Sequence, residues 1–302
     1  MKKKFIPIFI ILICIPVVLS YKNGPREANI VFVGDMFFDR HIRKAMYRED
    51  GDYIFSCIGD FLKSSDMVVG NLEGPVTANA SVSITSIVGS PDNFRFTFPT
   101  NVPTLLKENN ILALSLGNNH IGNFGREGIE STHKYLSEAG VGYFGGLKAD
   151  EPVLKKDING NKLSFIAYNE FGGGSVESVE EKIKSEKEEG RFVIVFAHWG
   201  DEYAKANTGQ KNKAKSFAKA GADFIVGAHP HVIQENEVLE VGEGGEKRKV
   251  PVYYSLGNFM FDQYWEESVR TGVALNMKIK GEIVEITEQK TYLERDGRTC
   301  LK

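Results

Sequence analysis

Cysteine is scarce in this chain, with three among 302 residues, too few for a disulfide framework to replace a packed core. An excess of charge of either sign is also missing. Thirty-seven basic residues against forty acidic ones give a formal net charge of −3, so no strong basic field points to nucleic acid. There is no internal repeat and no low-complexity block. At 42% hydrophobic and 25% charged, the composition is that of an ordinary globular protein and excludes disordered and fibrous classes.

Long apolar runs are nearly absent too, and the exception is informative. Lys2, Lys3 and Lys4 precede an uncharged stretch from Phe5 to Leu19, the layout of a secretory signal. That stretch is shorter than the ~20 residues of a comfortable membrane span. Small residues at Val18 and Ser20 suit cleavage after Ser20, while retention as an uncleaved anchor stays open. Residues 1–20 are therefore expected to be a signal peptide or N-terminal membrane anchor, placing the rest outside the cytoplasm, secreted or at the cell surface. Ile13 before Cys14 lacks the small residue that a lipoprotein signal needs. Residues 21–28, with Gly24 and Pro25, read as a linker.

From Asn29 onward, short apolar β-rich runs alternate with stretches of helical period, which predicts an α/β domain over residues 29–294. Strands are expected at "NIVFVG", "DMVVGN", "ILALSLGN", "LSFIAYN", "FVIVFAHWG", "DFIVGAHP" and "VPVYYSLGN". Helices fit "DYIFSCIGDFLKSS", "VPTLLKENN", "REGIESTHKYLSEAG", "VESVEEKIKSEKEEG" and "NKAKSFAKAGA", several closing on glycine. The segment "VALNMKIKGEIVEITEQKTYLER" alternates and predicts an antiparallel hairpin.

Five strands run directly into polar clusters: "GDMFFDR", "NLEG", "GNNH", "AHWGDEY" and "GAHPHV". Ligands of open α/β sheets collect outside the carboxyl ends of strands, so these clusters are expected to converge. They bring Asp35, Asp39, Asn71, Glu73, Asn118, Asn119, His120, His198, Glu202, His229 and His231. This oxygen-and-imidazole set without thiolate suits zinc, manganese or iron. Taken singly, a Gly-Asp or Asn-His pair reads as well as a turn or a backbone hydrogen-bonding site. His41 and His133 fall outside the clusters and read as surface or helix residues. Trp199, Glu202 and Tyr203 are expected at the rim.

Together "VFVGDMFFDR", "VVGNLEGPV", "LSLGNNHIGNFG", "VFAHWGDEY", "AGADFIVGAHPHVIQ" and "VYYSLGNFMFD" resemble the CapA family of bacterial capsule and poly-gamma-glutamate synthesis proteins, within the calcineurin-like metallophosphoesterase superfamily. The resemblance implies a four-layer sandwich of two facing mixed β-sheets flanked by helices. It implies one or two divalent ions held by Asp35, Glu73, Asn119, His198, His229 and His231, with Glu73 bridging and His120 protonating a leaving group or steadying charge. The family pattern has a histidine ligand where this chain has Phe37. Arg40 reads equally as a clamp for phosphate or carboxylate and as a surface salt bridge.

The function implied is a surface protein of capsular polymer synthesis or export. Its partners would be an anionic polymer, or a phosphate or carboxylate substrate, and membrane proteins of a capsule synthesis complex. A secreted metal-dependent phosphoesterase and a noncatalytic scaffold with a degenerate metal site are the competing readings.

Overall fold

Strands buried on both faces need a cover on each side, and this chain supplies one with helices and the other with a second sheet. The computed structural model describes residues 24–147, 152–172, 174–242 and 247–302. The first half runs β1 (Ala28–Met36), α1 (Arg40–Arg48), α2 (Gly59–Lys63), β2 (Met67–Leu72), α3 (Val102–Glu108), β3 (Ile111–Ser115), α4 (Gly125–Ala139) and β4 (Gly142–Phe144). The middle contributes β5 (Leu154–Ile158), β6 (Asn161–Asn169), α5 (Val176–Glu188), β7 (Phe192–His198), α6 (Thr208–Ala220) and β8 (Phe224–Ala228). The last part adds β9 (Asn236–Val241), β10 (Arg248–Tyr253), β11 (Asn258–Met260), α7 (Glu267–Arg270), β12 (Thr271–Lys280), β13 (Ile283–Leu293) and β14 (Thr299–Leu301).

One sheet has the order β14-β13-β12-β1-β2-β3-β4, with β11 also pairing β1, and the other has β5-β6-β7-β8-β10-β9. Both are mixed: β1, β2, β3 and β4 are parallel while β12 to β14 are antiparallel. In the second sheet β6, β7, β8 and β10 are parallel, with β5 and β9 antiparallel at the edges. Phe32, Phe165, Phe196 and Phe224 fill the space between the sheets. Ile42, Met46 and Leu106 from α1 and α3 cover the outer face of the first sheet, and Ile183, Ala214 and Phe217 from α5 and α6 cover that of the second. The result is the expected four-layer sandwich.

Local chemistry accounts for the elements that periodicity shows poorly. Helix α1, not expected as a helix, begins because the Asp39 carboxylate caps it, accepting the Arg40 backbone N–H at 3.0 Å and pairing with the Arg43 guanidinium at 2.9 Å. Its other oxygen accepts from the Ser83 hydroxyl and the Thr97 amide. Asp39 is thus wholly occupied in holding α1. The helix expected over 52–65 is a 3-10 turn at Gly51–Phe55 followed by α2, broken where Cys57 is joined by a disulfide to Cys300. That link and the pairing of β14 with β13 carry the sheet past Glu294 to Leu301.

Arg26 donates its backbone N–H to Asn159, and the Asn159 and Asn161 side chains donate to Glu27 and Arg26. This end of the expected linker is therefore docked. Residues 1–20, with the expected signal, lie outside the described residues. Among the described residues no helix is long and apolar enough to cross a membrane.

Candidate metal centre

Asp35 lies near the end of β1, Asn71 near the end of β2, Asn119 just after β3, His198 at the end of β7 and His229 just after β8. All five strands are parallel within their sheets, so their carboxyl ends meet at one edge of the sandwich. Two glycines allow this approach. A Cβ on Gly34 would lie 1.8 Å from the Gly257 carbonyl oxygen, and one on Gly227 would lie 2.0 Å from that of Tyr254. The Gly-Asp and Gly-Ala-His motifs thus begin with residues that let neighbouring strands cross tightly.

The buried side chains form two overlapping groups, one of Asp35, Glu73 and His231 and the other of Glu73, His198 and His229, with ligand atoms within 4.8 Å of one another in each. Glu73 belongs to both groups and so lies between them. Asn119 Oδ1 lies 2.9 Å from His198 Nε2, which brings the sixth expected ligand to the second group. His229 and His231 both have positive φ, +95° and +58°, a conformation costing a non-glycine residue about 1–3 kcal/mol and concentrated at functional sites.

Asparagines outside the six expected ligands hold them in place. Asn71 donates to Asp35 Oδ1 at 2.7 Å, and Asn118 donates to Asn71 Oδ1 at 3.0 Å. Asp35 Oδ2 accepts the backbone N–H of His229. Asn258 donates through Nδ2 to Gln263 and to the Val269 carbonyl. Its Oδ1 is therefore the acceptor facing His231 Nδ1 at 2.9 Å, which leaves the unprotonated Nε2 turned toward Glu73 Oε1, 3.6 Å away. A partner behind the ring is how proteins fix the tautomer of a ligating histidine.

Charge in this cluster is uncompensated. Burial, then repulsion from Asp35, pushes the Glu73 carboxyl well above its ordinary range. Burial acts on Asp35 in the same direction but is outweighed by the hydrogen bonds it accepts from His231 and Asn71, and the carboxyl stays anionic. Burial, then the neighbouring imidazoles, holds His198 and His229 below the ordinary histidine range, so both are neutral, the form that binds metal. Glu73 Oε1 and His229 Nδ1 are buried without any hydrogen-bond partner. Two orphaned ligand atoms beside an unbalanced carboxylate pair fit a divalent cation.

The remaining expectations fall out differently. The Phe37 ring is fully buried, stacked on Phe261 at 4.6 Å and edge-on to Phe96 at 4.7 Å. It is therefore core and offers no ligand. Arg40 makes a two-pronged pair with Asp262 at 2.5 and 3.1 Å, donates to the Asn93 carbonyl and lies over the Phe37 ring, so its donors already have partners. His120 packs on Phe96 at 4.1 Å and faces Asn123 Oδ1 at 3.1 Å. That oxygen also accepts the Phe96 N–H, which makes His120 Nδ1 the donor and Nε2 the free acceptor. Burial pulls the His120 pKa down to about 4.

Tyr203 is at the rim, and Glu202 is exposed beside it. Trp199 is not at the rim: it is fully buried, its indole N–H donating to the Tyr254 carbonyl at 2.9 Å. It faces α6 because it follows His198 by one position and successive side chains take opposite faces. Phe171, 4.3 Å from the His229 ring, supplies a wall that no sequence signal announced.

Two mixed sheets packed face to face between helices, with carboxylate, amide and imidazole groups gathered at the strand ends, define a metallophosphoesterase-like fold. The chain belongs to the family described as bacterial capsule synthesis protein PGA_cap, whose model matches residues 29–263. It is 31% identical over 261 residues to the capsule biosynthesis protein CapA of Bacillus anthracis, covering 79% of this chain and 61% of that protein. It is 29% identical over 272 residues to the PGA biosynthesis protein CapA of Bacillus subtilis (strain 168), covering 83% of this chain and 67% of that protein. The chain thus spans 61% and 67% of the lengths of these two relatives.

Proposed function

We propose that this chain is an extracytoplasmic protein of capsular polymer synthesis or export whose strand-end cluster holds one or two divalent ions and engages an anionic polymer, poly-gamma-glutamate being the chemistry the family name suggests. The observation that carries the metal reading is Glu73, a buried carboxylate shared by two ligand groups and lacking a partner for Oε1. A bound cation would supply Lewis acidity toward a carboxylate or phosphate oxygen and lower the pKa of water. Asp35, Glu73 and His231 would hold one position; Asn119, His198 and His229 would complete the other with Glu73.

The chain's own groups favour anion capture with a proton acceptor alongside. His120, neutral and with Nε2 unprotonated, can take a proton at that atom, and Asn123 fixes its ring. Phe171 shields His229 from water on one side. With Phe37 buried among aromatics, the Asp35 position has one imidazole, His231, so the second ion is expected to bind more weakly than the first.

Elemental analysis of the full chain purified without chelators, beside a His229→Ala/His231→Ala variant with an unchanged circular dichroism spectrum, tests the reading. Metal present in the wild type and lost in the variant supports it. A metal-free wild type after incubation with manganese, iron and zinc rejects it.

A further inference from the structure

At the end of the sandwich away from the metal centre, residues of both sheets line a cleft of about 990 Å³. Its floor is the half-buried pair Phe192 and Val284 at one end of the inter-sheet core, over Phe224 and Ile279, which are fully buried. Phe192 and Phe224, which begin β7 and β8, face Ile279 and Val284 of the β12–β13 hairpin across it. These residues start the strands whose other ends carry His198 and His229, which fixes the cleft at the opposite pole.

Five basic residues line the rim against two carboxylates, Asp223 and Glu282. Arg191, Lys187 and Arg248 line it but are tied to Glu186 and Asp223. Lys162 and Lys249 are exposed and make no ion pair among the described residues. Beside the cleft, Val238 and Ile283 are 57% and 67% exposed. An apolar floor under a mainly basic rim complements a molecule with a hydrocarbon part and an anionic head. Pro25 lines the same cleft, and the sequence leads back from it to the apolar run Phe5–Leu19 and its three preceding lysines. A chain tethered by that run would present this pole to the bilayer.

We propose that the cleft seats an anionic phospholipid, with acyl carbon over Phe192, Val284 and Val238, the headgroup phosphate between Lys162 and Lys249, and Ile283 in the interfacial layer. The proposal rests on the extracytoplasmic reading given above, with residues 1–20 retained as a membrane anchor. It adds a lipid site to the pole remote from the metal. Lysines near a charged bilayer surface each contribute about 1 kcal/mol, or about fivefold in affinity.

The test reconstitutes the full chain with Ile283→Trp into vesicles of phosphatidylcholine, with and without phosphatidylglycerol, using brominated acyl chains as quenchers. The fluorescence of the unsubstituted chain is subtracted. Quenching at position 283 that requires phosphatidylglycerol, and that falls severalfold in Lys162→Glu/Lys249→Glu while metal content is unchanged, is the expected result. Absence of quenching, or equal quenching in both lipids, overturns the proposal. So does displacement by soluble poly-glutamate at constant ionic strength, which would make the cleft a polymer site. Tethering is read separately by flotation: chain that floats with both vesicles yet shows no quenching at position 283 keeps the tether and overturns the lipid site, whereas chain that floats with neither overturns the membrane anchor and the site with it.

Discussion

Asn258 and His231 lie 27 positions apart and are joined at 2.9 Å behind the metal-facing edge of the imidazole. Asn258 sits on β11, which pairs with β1 beside Asp35, so the same short strand fixes the orientation of one candidate ligand and the backbone of another. Replacing Asn258 by Ala removes the acceptor without touching a candidate ligand. Metal affinity is expected to fall about 10- to 100-fold, as for other partners behind ligating histidines, measured by competition with a chromophoric chelator. Unchanged affinity would remove Asn258 from the site.

Arg40 and Asp262 present the choice between a structural pair and a substrate clamp. Both are largely buried, and the guanidinium is already engaged by two carboxylate oxygens and the Asn93 carbonyl. A double-mutant cycle with Arg40→Gln and Asp262→Asn is expected to show a coupling of about 1–2 kcal/mol in urea unfolding. Inorganic phosphate affinity of the metal-loaded protein is expected to be equal in the two single variants. A drop confined to Arg40→Gln would instead assign the arginine to the ligand.

Gly227 tests the tight crossing of β8 and β10. An added methyl at 2.0 Å from the Tyr254 carbonyl oxygen and 2.6 Å from the Trp199 indole nitrogen must push the strands apart. Gly227→Ala is expected to cost at least about 1–3 kcal/mol and to lower metal content, because the shift displaces His229 two residues on. A variant with wild-type stability and full metal content would contradict this.

Outside the site, His133 gives a pH dependence of defined sign. It stacks on Tyr143 at 4.5 Å, and burial holds its pKa below the ordinary 6.5. A histidine whose pKa falls on folding contributes stability that is complete above its unfolded pKa and lost as pH drops through the folded one. Metal-loaded His133→Phe keeps the stacking and is expected to lose less stability than the wild type between about pH 7.5 and 5. Equal slopes in denaturant titrations would exclude His133 as a contributor.

Much of the site was legible because its residues follow strands. "VFVGD", "FAHWG" and "IVGAHPH" each couple a buried run to a polar residue, and a parallel strand delivers such a residue to a sheet edge wherever its neighbours lie. That basis placed Asp35, Glu73, His198, His229 and His231 among eleven strand-end candidates, and the family resemblance singled them out as ligands. The helix beginning at Arg40 was hidden because its cap, Asp39, resembled another strand-end ligand. What separates Asp35 from Asp39 is a set of contacts with Arg43, Ser83 and Thr97 that no local pattern contains.

The sequence by itself determined the layered α/β class, the family and the chemistry of the cluster, since these depend on apolar period and residue type along the chain. The tertiary structure alone decided which groups are occupied. Arg40 is paired by a residue 222 positions away, Trp199 is turned into the core, Phe37 is packed among three phenylalanines, and Glu73 and His229 keep unpartnered atoms. Hydrogen-bond satisfaction and burial are properties of contacts between distant segments, and they exist only once both sheets have closed on one another.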